Sequence, residues 1–176
     1  MVYSNGTLKD HGHLEPVQIP WDEYFMDICR VVGEKATCDR GRSGCVIVRD
    51  HVILSTGFVT SPEGSPTCDE VGHQMCGFIH EDGKKIDHCM RNNCAEQVAI
   101  ANAARVGISL EGATLYTKMT PCSVRHCAHL IVACGIRRVV CDSTYHSAQE
   151  SEEIFTRAGV QLVYLNKEVT EYKKKK

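Results

Sequence analysis

Two segments decide the fold of this chain: CAEQVAIANAARVG at residues 94–107 and ATLYTKMTPCSVRHCAHLIVACG at residues 113–135. Each carries a helical pattern of apolar residues that stops at a glycine, which predicts one helix ending at Gly107 and another ending at Gly135. The β-rich run that opens the second segment predicts a strand at residues 113–117. A strand therefore joins two helices, each of which begins near a cysteine.

The cysteines of these segments have the composition of a catalytic zinc site. Cys94, Cys122 and Cys127 supply three thiolates, which can hold zinc and leave its fourth position open for water. Cys94 begins a helix and Cys122 lies at or just before another, so helix dipoles favour the thiolates that bind metal. Glu96 can take a proton from water and return it to a leaving amine. Cys-x-Glu followed by Pro-Cys is typical of zinc deaminases, although His is more usual in the first position.

The third zinc ligand has an alternative. Because each helical residue turns 100°, Cys122 and Cys127 would point well apart in an uninterrupted helix, and His126 would fit a simple helix better. We favour Cys127, with residues 123–126 forming an irregular lead-in. The reason is that Cys127 opens the apolar pattern of the helix, which continues through Leu130, Ile131 and Cys134.

A positive side chain is expected beside the site. Three thiolates place more negative charge on zinc than one His and two Cys, which raises the pKa of bound water unless a cation offsets it. Arg91 and Arg125 are the candidates, because they are close in sequence to the predicted ligands. A solvated surface position is the alternative for each of them.

The flanking sequence completes an alternation of strands and helices. A helix from residue 21 to Gly33 comes first, and Arg49-Asp50-His51 predicts a tight turn between two strands. The βαβαβ order that follows requires parallel pairing in the last strands, next to the antiparallel hairpin. The predicted strands are residues 45–48, 52–58, 113–117, 138–141 and 160–165, and the last helix covers residues 147–158.

Composition predicts one compact domain. With 176 residues, 43% hydrophobic and 24% charged, we expect an irregular segment at residues 1–19, a zinc-dependent domain at 20–166 and a polar tail at 167–176. No apolar run approaches the ~20 residues that span a bilayer and the start lacks a signal core, so a cytoplasmic protein is expected. A net charge of −2 favours a small substrate, with neither nucleic acid nor a membrane as partner. Eleven cysteines, an odd number, favour metal ligation over disulfides.

Several further segments resemble one known family. From residue 21 to about residue 165 the chain is similar to the deoxycytidylate deaminases. The segments that carry the resemblance are WDEYFM at 21–26, KATC at 35–38, GCVIV at 44–48, DHCMR at 87–91, ATLY at 113–116, GI at 135–136 and YH at 145–146.

The resemblance implies an α/β protein with the three-layer α/β/α cytidine deaminase-like fold, in which helices flank a five-stranded mixed sheet. It also implies hydrolytic conversion of dCMP to dUMP and ammonia in pyrimidine deoxynucleotide metabolism. A homohexamer, activated by dCTP and inhibited by dTTP with Mg bound beside the effector, is implied in the same way. In the site, the Ala95 amide would contact the pyrimidine carbonyl, Tyr145 would line the base or phosphate pocket, and Arg105 would lie near the phosphate or effector.

Two positions depart from the family pattern. Residues 57–60 are GFVT where the family has GYNG, so Val59 replaces an asparagine, and Val98 replaces another two residues after the catalytic Glu. Both changes remove polar contacts to sugar or phosphate, and Cys94 in place of His is similar to the free-nucleoside cytidine deaminases. A free cytosine nucleoside or a modified cytosine nucleotide is therefore the alternative substrate. A catalytically idle zinc-stabilised nucleotide sensor is the alternative of another class, but Glu96 favours the enzyme.

A second metal site is expected in residues 59–93, which lack a regular period and are too long for an idle loop. The predicted ligands are Cys38, Cys68, Cys76 and Cys89, with His88 or His73 as substitutes. The family resemblance implies a structural zinc in chains with this cysteine pattern, and a closed site of that kind contributes folding energy directly. Unligated thiols are the alternative, because the spacings fit no compact zinc-ribbon pattern.

Overall fold

The computed structural model describes residues 18–79, 83 and 85–170. The irregular segment predicted at residues 1–19 lies almost wholly outside the described residues, as do residues 171–176 of the predicted tail. Across the described ranges, no helix combines the length and the apolar character needed to cross a bilayer.

All of the helices and strands predicted from the sequence are present. The helices are α1 (Trp21–Gly33), α2 (Cys68–Val71), α3 (Ala95–Arg105), α4 (Cys127–Ala133) and α5 (Gln149–Ala158). The strands are β1 (Gly44–Arg49), β2 (Val52–Phe58), β3 (Met75–Ile79), β4 (Lys85–Cys89), β5 (Thr114–Met119), β6 (Arg138–Tyr145), β7 (Gln161–Tyr164) and β8 (Val169–Thr170). The sequence patterns did not predict α2, β3, β4 or β8, which are short.

The main sheet is mixed, as predicted. Its five main strands run in the order β2-β1-β5-β6-β7, and the short strand β8 pairs with the end of β6. The pairs β1·β2 and β1·β5 are antiparallel, whereas β5·β6 and β6·β7 are parallel. Asp50 and His51 have φ angles of 52° and 62°, the left-handed conformations that a two-residue hairpin turn requires. A separate antiparallel hairpin, β3·β4, occupies the segment in which no regular period was found.

Helices cover both faces of the sheet. On one face α1 packs Phe25, Met26 and Cys29 against the sheet. On the other face α3, α4 and α5 bury a larger apolar cluster against the same strands, and its central members are Ala99, Ala103, Leu115, Ile131, Val139 and Phe155. The three-layer α/β/α fold implied by the family resemblance is therefore confirmed.

Close packing of α3 on β2 fixes the start of α3. A side chain at Gly57 would bring its Cβ to 2.3 Å from Ala99 N and 2.4 Å from Ala95 O, so only glycine allows this approach. Ser55 Oγ on the same strand donates a hydrogen bond of 2.7 Å to Ala99 O. The first turn of α3 is therefore held against the sheet near its N-terminus, where Cys94 and Glu96 lie.

An ion pair ties α1 to the sheet. Arg138 on β6 donates two hydrogen bonds to the Asp22 carboxylate, at 2.7 Å and 2.6 Å, and the Tyr116 hydroxyl donates a third at 2.9 Å. Asp22 and Arg138 side chains are each less than one third exposed. The hydrogen bonds from Arg138 hold the pKa of Asp22 below its usual value.

Replacing Asp22 by asparagine is expected to lower the free energy of unfolding by about 1–2 kcal/mol at pH 7, because a bidentate charged pair is lost. Because folding lowers the pKa of Asp22, its ionised form stabilises the fold at pH values above the unfolded-state pKa of about 3.9. This stabilisation is lost as pH falls through the folded-state pKa. Urea unfolding of D22N and the parent chain should therefore differ at pH 7 and converge in acid. A constant difference from pH 7 to pH 2 would contradict this account.

Candidate active site

Three cysteine sulfurs meet where the parallel strands end. Cys94 is the N-cap of α3, Cys122 lies just beyond β5, and Cys127 is the first residue of α4. The Sγ atoms of Cys94 and Cys122 are 3.9 Å apart, those of Cys122 and Cys127 are 3.5 Å apart, and all three lie within 4.8 Å of one another. The structure thus brings together the three cysteines that the sequence predicted, although they come from distant parts of the chain.

The sulfur geometry fits a zinc ion. Tetrahedral zinc with Zn–S bonds of about 2.3 Å requires sulfurs roughly 3.8 Å apart, which matches the observed separations. Hydrogen bonds with Cys127 and Cys94, together with the Arg125 backbone N–H, hold the pKa of Cys122 well below its usual value. Cys122 therefore favours the thiolate, the form that ligates a metal, whereas the hydrogen bonds with Cys122 raise the pKa values of Cys94 and Cys127.

An irregular turn brings Cys127, rather than His126, to the cluster. Residues 123–126 form a turn closed by a 2.7 Å hydrogen bond from His126 N to Ser123 O. His126 then adopts a left-handed φ of 62°, and α4 starts at the next residue. The His126 side chain is exposed, whereas Cys127 is fully buried. This is the irregular lead-in predicted from the sequence.

Glu96 lies beside the sulfurs in a buried position. Only 7% of the residue is exposed, and the Thr117 hydroxyl donates a 2.6 Å hydrogen bond to its Oε1 atom. Burial raises the pKa of Glu96 to about 7, against the opposing effect of the hydrogen bond from Thr117. A carboxylate with a pKa near neutrality suits a group that both accepts and donates protons. Thr117 was missed from the sequence, although the alternation of β5 places it on the same face as Leu115.

Only one of the two candidate arginines is at the site. The positive charge of Arg125 lowers the pKa values of Cys122 and Glu96, so its charge acts on both. Arg91 Nε instead donates a 3.0 Å hydrogen bond to Gly72 O, in the segment that precedes β3. The electrostatic role predicted for a nearby arginine is therefore assigned to Arg125.

A cavity opens beside Cys94. Its lining includes Val59 and His88, together with two side chains that the sequence did not single out, Arg40 and Asn92. Arg40 donates a 3.0 Å hydrogen bond to Asp87 O, which holds the loop before β1 against β4. His88 and Asn92 are buried. The proximity of Arg40 to Cys38 and of Asn92 to Cys94 was the available signal, but neither position belongs to a recognisable motif.

The three predicted substrate contacts lie in different places. Ala95 is buried in the first turn of α3. Tyr145 is buried at the carboxyl end of β6, where its ring centroid lies 6.5 Å from that of His88. Arg105 is exposed at the last turn of α3, about 15 Å of helix rise from Ala95. Arg105 therefore lies away from the zinc cluster, and its expected position near a phosphate or an effector stays a prediction.

A second cluster forms where a further metal was expected. Cys38 Sγ lies 3.8 Å from His73 Nδ1, Cys68 Sγ lies 3.5 Å from Cys89 Sγ, and Cys38, Cys68 and His73 can share one ion. The Asp39 carboxylate is 3.0 Å from His73 Nε2. A carboxylate on the far nitrogen of a ligating histidine is common in zinc sites, because it orients the ring.

Cys76 and His88 are outside this second cluster, which corrects the predicted ligand set. Cys76 pairs with His88 across the β3·β4 hairpin, while Met75 pairs with Cys89. Because successive strand residues point to opposite faces, Cys76 faces away from Cys89. Its side chain is exposed, and its sulfur donates a 3.9 Å hydrogen bond to the adjacent Gly77 carbonyl. His73, named as a substitute, is the residue that the structure brings close to Cys38 and Cys68.

Comparison with known proteins identifies similar chains. Residues 19–143 match the family model described as cytidine and deoxycytidylate deaminase zinc-binding region. A deoxycytidylate deaminase of Schizosaccharomyces pombe is 32% identical over 142 residues, which cover 81% of this chain and 43% of the yeast protein. A deoxycytidylate deaminase of Mycobacterium phage D29 is 34% identical over 122 residues, covering 68% and 92% of the two chains. This chain thus spans less than half of the yeast relative but most of the phage relative.

The fold has a close counterpart among solved structures. The dCMP deaminase of cyanophage S-TIM5, crystallised with dCMP and dUMP, superposes with a TM-score of 0.64 over 81% of this chain and 95% of that one. Sequence identity in that alignment is 22%, so the likeness shows a shared fold.

Proposed function

Because the chain belongs to the cytidine and deoxycytidylate deaminase family, we propose that it is a zinc-dependent hydrolase that removes the amino group of a cytosine nucleotide, with dCMP converted to dUMP and ammonia. The observation that carries the proposal is the meeting of three cysteine sulfurs with the buried carboxyl of Glu96. The names of the yeast and phage relatives support dCMP as the substrate. A nucleotide sensor would not need a buried carboxyl positioned by Thr117.

The chemistry divides between the metal and Glu96. A zinc ion held by Cys94, Cys122 and Cys127 would supply an activated water at its open position. Thr117 holds the Glu96 carboxylate through Oε1, and this carboxylate takes the proton of the attacking water and delivers it to N3 of the ring. Glu96 then carries a second proton to the leaving amino group. The C4–O bond forms, the C4–N4 bond breaks, and ammonia leaves.

The cavity supports a nucleotide but leaves the sugar contacts open. Arg40 in the cavity wall provides a positive charge for a phosphate, and His88 in the same wall provides aromatic surface for a base. Tyr145 is outside the lining, with its ring centroid 6.5 Å from that of His88. Val59 lines the same cavity at the position where an asparagine was expected, and it can offer no hydrogen bond to a sugar hydroxyl. This observation favours a second candidate substrate, a free cytosine nucleoside or a modified cytosine nucleotide.

A substrate panel tests the proposal. The zinc-loaded protein should deaminate dCMP with a higher kcat/KM than CMP, dCTP, deoxycytidine, cytidine or 5-substituted cytosine nucleotides, measured by the loss of cytosine absorbance. Preference for a nucleoside would favour the second candidate. Absence of turnover on every compound of the panel would overturn the proposed enzyme.

We also propose a structural zinc at the second cluster, held by Cys38, Cys68, Cys89 and His73. Support comes from the sulfur and nitrogen separations of 3.5 Å and 3.8 Å and from the orientation of His73 by Asp39. The hairpin β3·β4 exposes Met75 and Ile79, so the segment has little apolar core of its own. A closed four-ligand metal site supplies the missing folding energy.

Replacing His73 by alanine is expected to remove one zinc ion per chain and to lower the thermal midpoint by roughly 5–10 °C, because a structural metal contributes directly to folding. The matched control is Cys76→Ser, which changes an exposed cysteine of the same segment and should leave both quantities unchanged. Zinc content by atomic emission and melting by calorimetry provide the measurement. Zinc loss from C76S with retention in H73A would show that the ligand set is wrong.

The family resemblance also predicts nucleotide effectors and an oligomeric assembly. A hexamer, activation by dCTP with Mg, inhibition by dTTP and a cytoplasmic location remain predictions. Light scattering with and without each nucleotide tests the first three together with initial rates of deamination.

A further inference from the structure

The two proposed metal centres are neighbours in sequence and in space. Cys89 ends β4 and Cys94 caps α3, so one short segment, residues 89–94, carries a ligand of each centre at its two ends. The cavity beside Cys94 also has Cys38 and Cys89 in its wall. A displacement of this segment would therefore act on both clusters at once.

Arg125 connects this segment with the turn between Cys122 and Cys127. Its guanidinium donates hydrogen bonds to two carbonyls of the segment, Cys89 O at 3.2 Å and Asn92 O at a shorter distance. Its own backbone carbonyl accepts a 2.9 Å hydrogen bond from Gln97, whose side-chain oxygen accepts the Cys94 N–H at 3.0 Å. The Arg125 backbone N–H also donates a hydrogen bond to the Cys122 sulfur. Arg125 thus contacts Cys122 directly, Cys94 through Gln97, and the backbone that leads to the second centre.

Asn92 extends the connection to the second centre. The Asn92 side-chain amide donates to Cys68 Sγ at 3.3 Å and to Cys89 Sγ at 3.6 Å, while the Asn92 backbone carbonyl accepts a hydrogen bond from Arg125. Asn92 is 3% exposed, so these contacts are made away from solvent, where hydrogen bonds are harder to replace by water. The path from the second cluster to the catalytic cluster is therefore continuous through hydrogen bonds.

We propose that Arg125 is a positioning residue that couples the two metal centres, so that metal bound at Cys38, Cys68, Cys89 and His73 stabilises the catalytic zinc. The inference rests on the two proposed zinc sites but not on the identity of the substrate. Arg125 lies in the lengthened turn between Cys122 and Cys127, where five residue steps replace the usual three. The lengthening gives the loop a side chain that reaches the neighbouring centre. A guanidinium suits this role because its planar group donates hydrogen bonds in two fixed directions at once. A lysine ammonium is less geometrically restrained and would hold the two carbonyls less well.

The test is a double-mutant cycle on zinc release. Zinc transfer to the chelator 4-(2-pyridylazo)resorcinol is followed for the parent chain, His73→Ala, Arg125→Met and the double variant. The kinetic phase of zinc release that is missing in Cys127→Ser belongs to the catalytic cluster. In the parent chain His73→Ala should speed release of the catalytic zinc by about tenfold, an interaction of typical size for residues in one network. With Arg125→Met in place, the same change should have less than about a twofold effect.

Two further variants separate coupling through the Arg125 hydrogen bonds from an effect of its charge or of losing any arginine hydrogen bond. Arg125→Lys keeps the positive charge and should lose the coupling, as Arg125→Met does; it also carries the test alone if R125M fails to fold. Arg91→Met removes a different arginine-to-carbonyl hydrogen bond, at Gly72, and should leave the tenfold effect intact. Equal effects of His73→Ala in every background, or full coupling in R125K, would overturn the inference.

Failure of the coupling can be told apart from failure of the proposed function. Coupled zinc release without turnover of any cytosine compound would overturn the deaminase assignment and leave the coupling in place. Efficient deamination with uncoupled release would overturn the role of Arg125 alone.

Discussion

Replacing Glu96 by glutamine is expected to slow deamination by about 10³- to 10⁴-fold, the upper range for loss of a general acid and base. Glutamine has nearly the same shape and can still accept the 2.6 Å hydrogen bond from Thr117, so the buried site should stay intact. What it cannot do is take a proton from water. Steady-state rates on the preferred cytosine compound, with zinc content measured on the same sample, give the result.

The control for this variant is Glu153→Gln, which removes a carboxylate from the exposed surface of α5, where it pairs only with Arg157 and Gln149 among the described contacts. Its rate should equal that of the parent chain. A decrease of less than about tenfold in E96Q, with full zinc content, would show that another group carries the protons.

Replacing Cys127 by serine is expected to remove the catalytic zinc and to lower activity by about 10²-fold or more, because a serine hydroxyl stays protonated and is a poor ligand for zinc. Cys127 is fully buried with its sulfur 3.5 Å from that of Cys122, so no other side chain of the cluster can take its position. Zinc content should fall by one ion per chain, with the second centre still loaded. Atomic emission and rate measurements on one preparation test both effects.

His126→Ala is the matched control for the third ligand. His126 precedes Cys127 and was the alternative ligand, but its side chain is exposed. Zinc content and activity should therefore remain close to those of the parent chain. Loss of zinc from H126A, with retention in C127S, would reverse the assignment of the third ligand.

Much of the fold could be predicted because its periodic elements are long. The helices that end at Gly107 and Gly135 and the strands around residue 115 and residue 140 pack on one core, so their apolar spacing directly reflects burial. The short elements had no such signal. For example, α2 has four residues and β3 leaves Met75 and Ile79 exposed, so neither has an apolar face that could be recognised.

The catalytic cluster was predictable from local motifs, whereas the second cluster was only partly so. Cys94, Glu96 and Cys122 occur in short motifs with a fixed chemical logic, and the irregular turn before Cys127 followed from the apolar pattern of α4. The choice of His73 over Cys76 depended on which face of β3 meets Cys89, and that register is set by the hairpin. Sequence spacing does not contain it.

The cavity residues were the least predictable. Arg40 reaches the cavity from a loop that is distant in sequence from Cys94, and His88 reaches it from β4, which carries no periodic signal in the sequence, so only the folded chain shows that they meet. Arg105 shows the reverse case, since it lies on the same helix as the site but at the opposite end. A helix rise of about 1.5 Å per residue separates positions that look close in the sequence.

The central claim is that this chain hydrolyses a cytosine compound with water activated at the cluster of Cys94, Cys122 and Cys127. The most direct measurement is mass spectrometry of the product formed from dCMP by the zinc-loaded protein in ¹⁸O-labelled water. The account predicts dUMP carrying one ¹⁸O atom at C4, with one equivalent of ammonia released and no product from C127S. Recovery of unchanged dCMP together with every other cytosine compound of the panel, or of dUMP without the label, would contradict it.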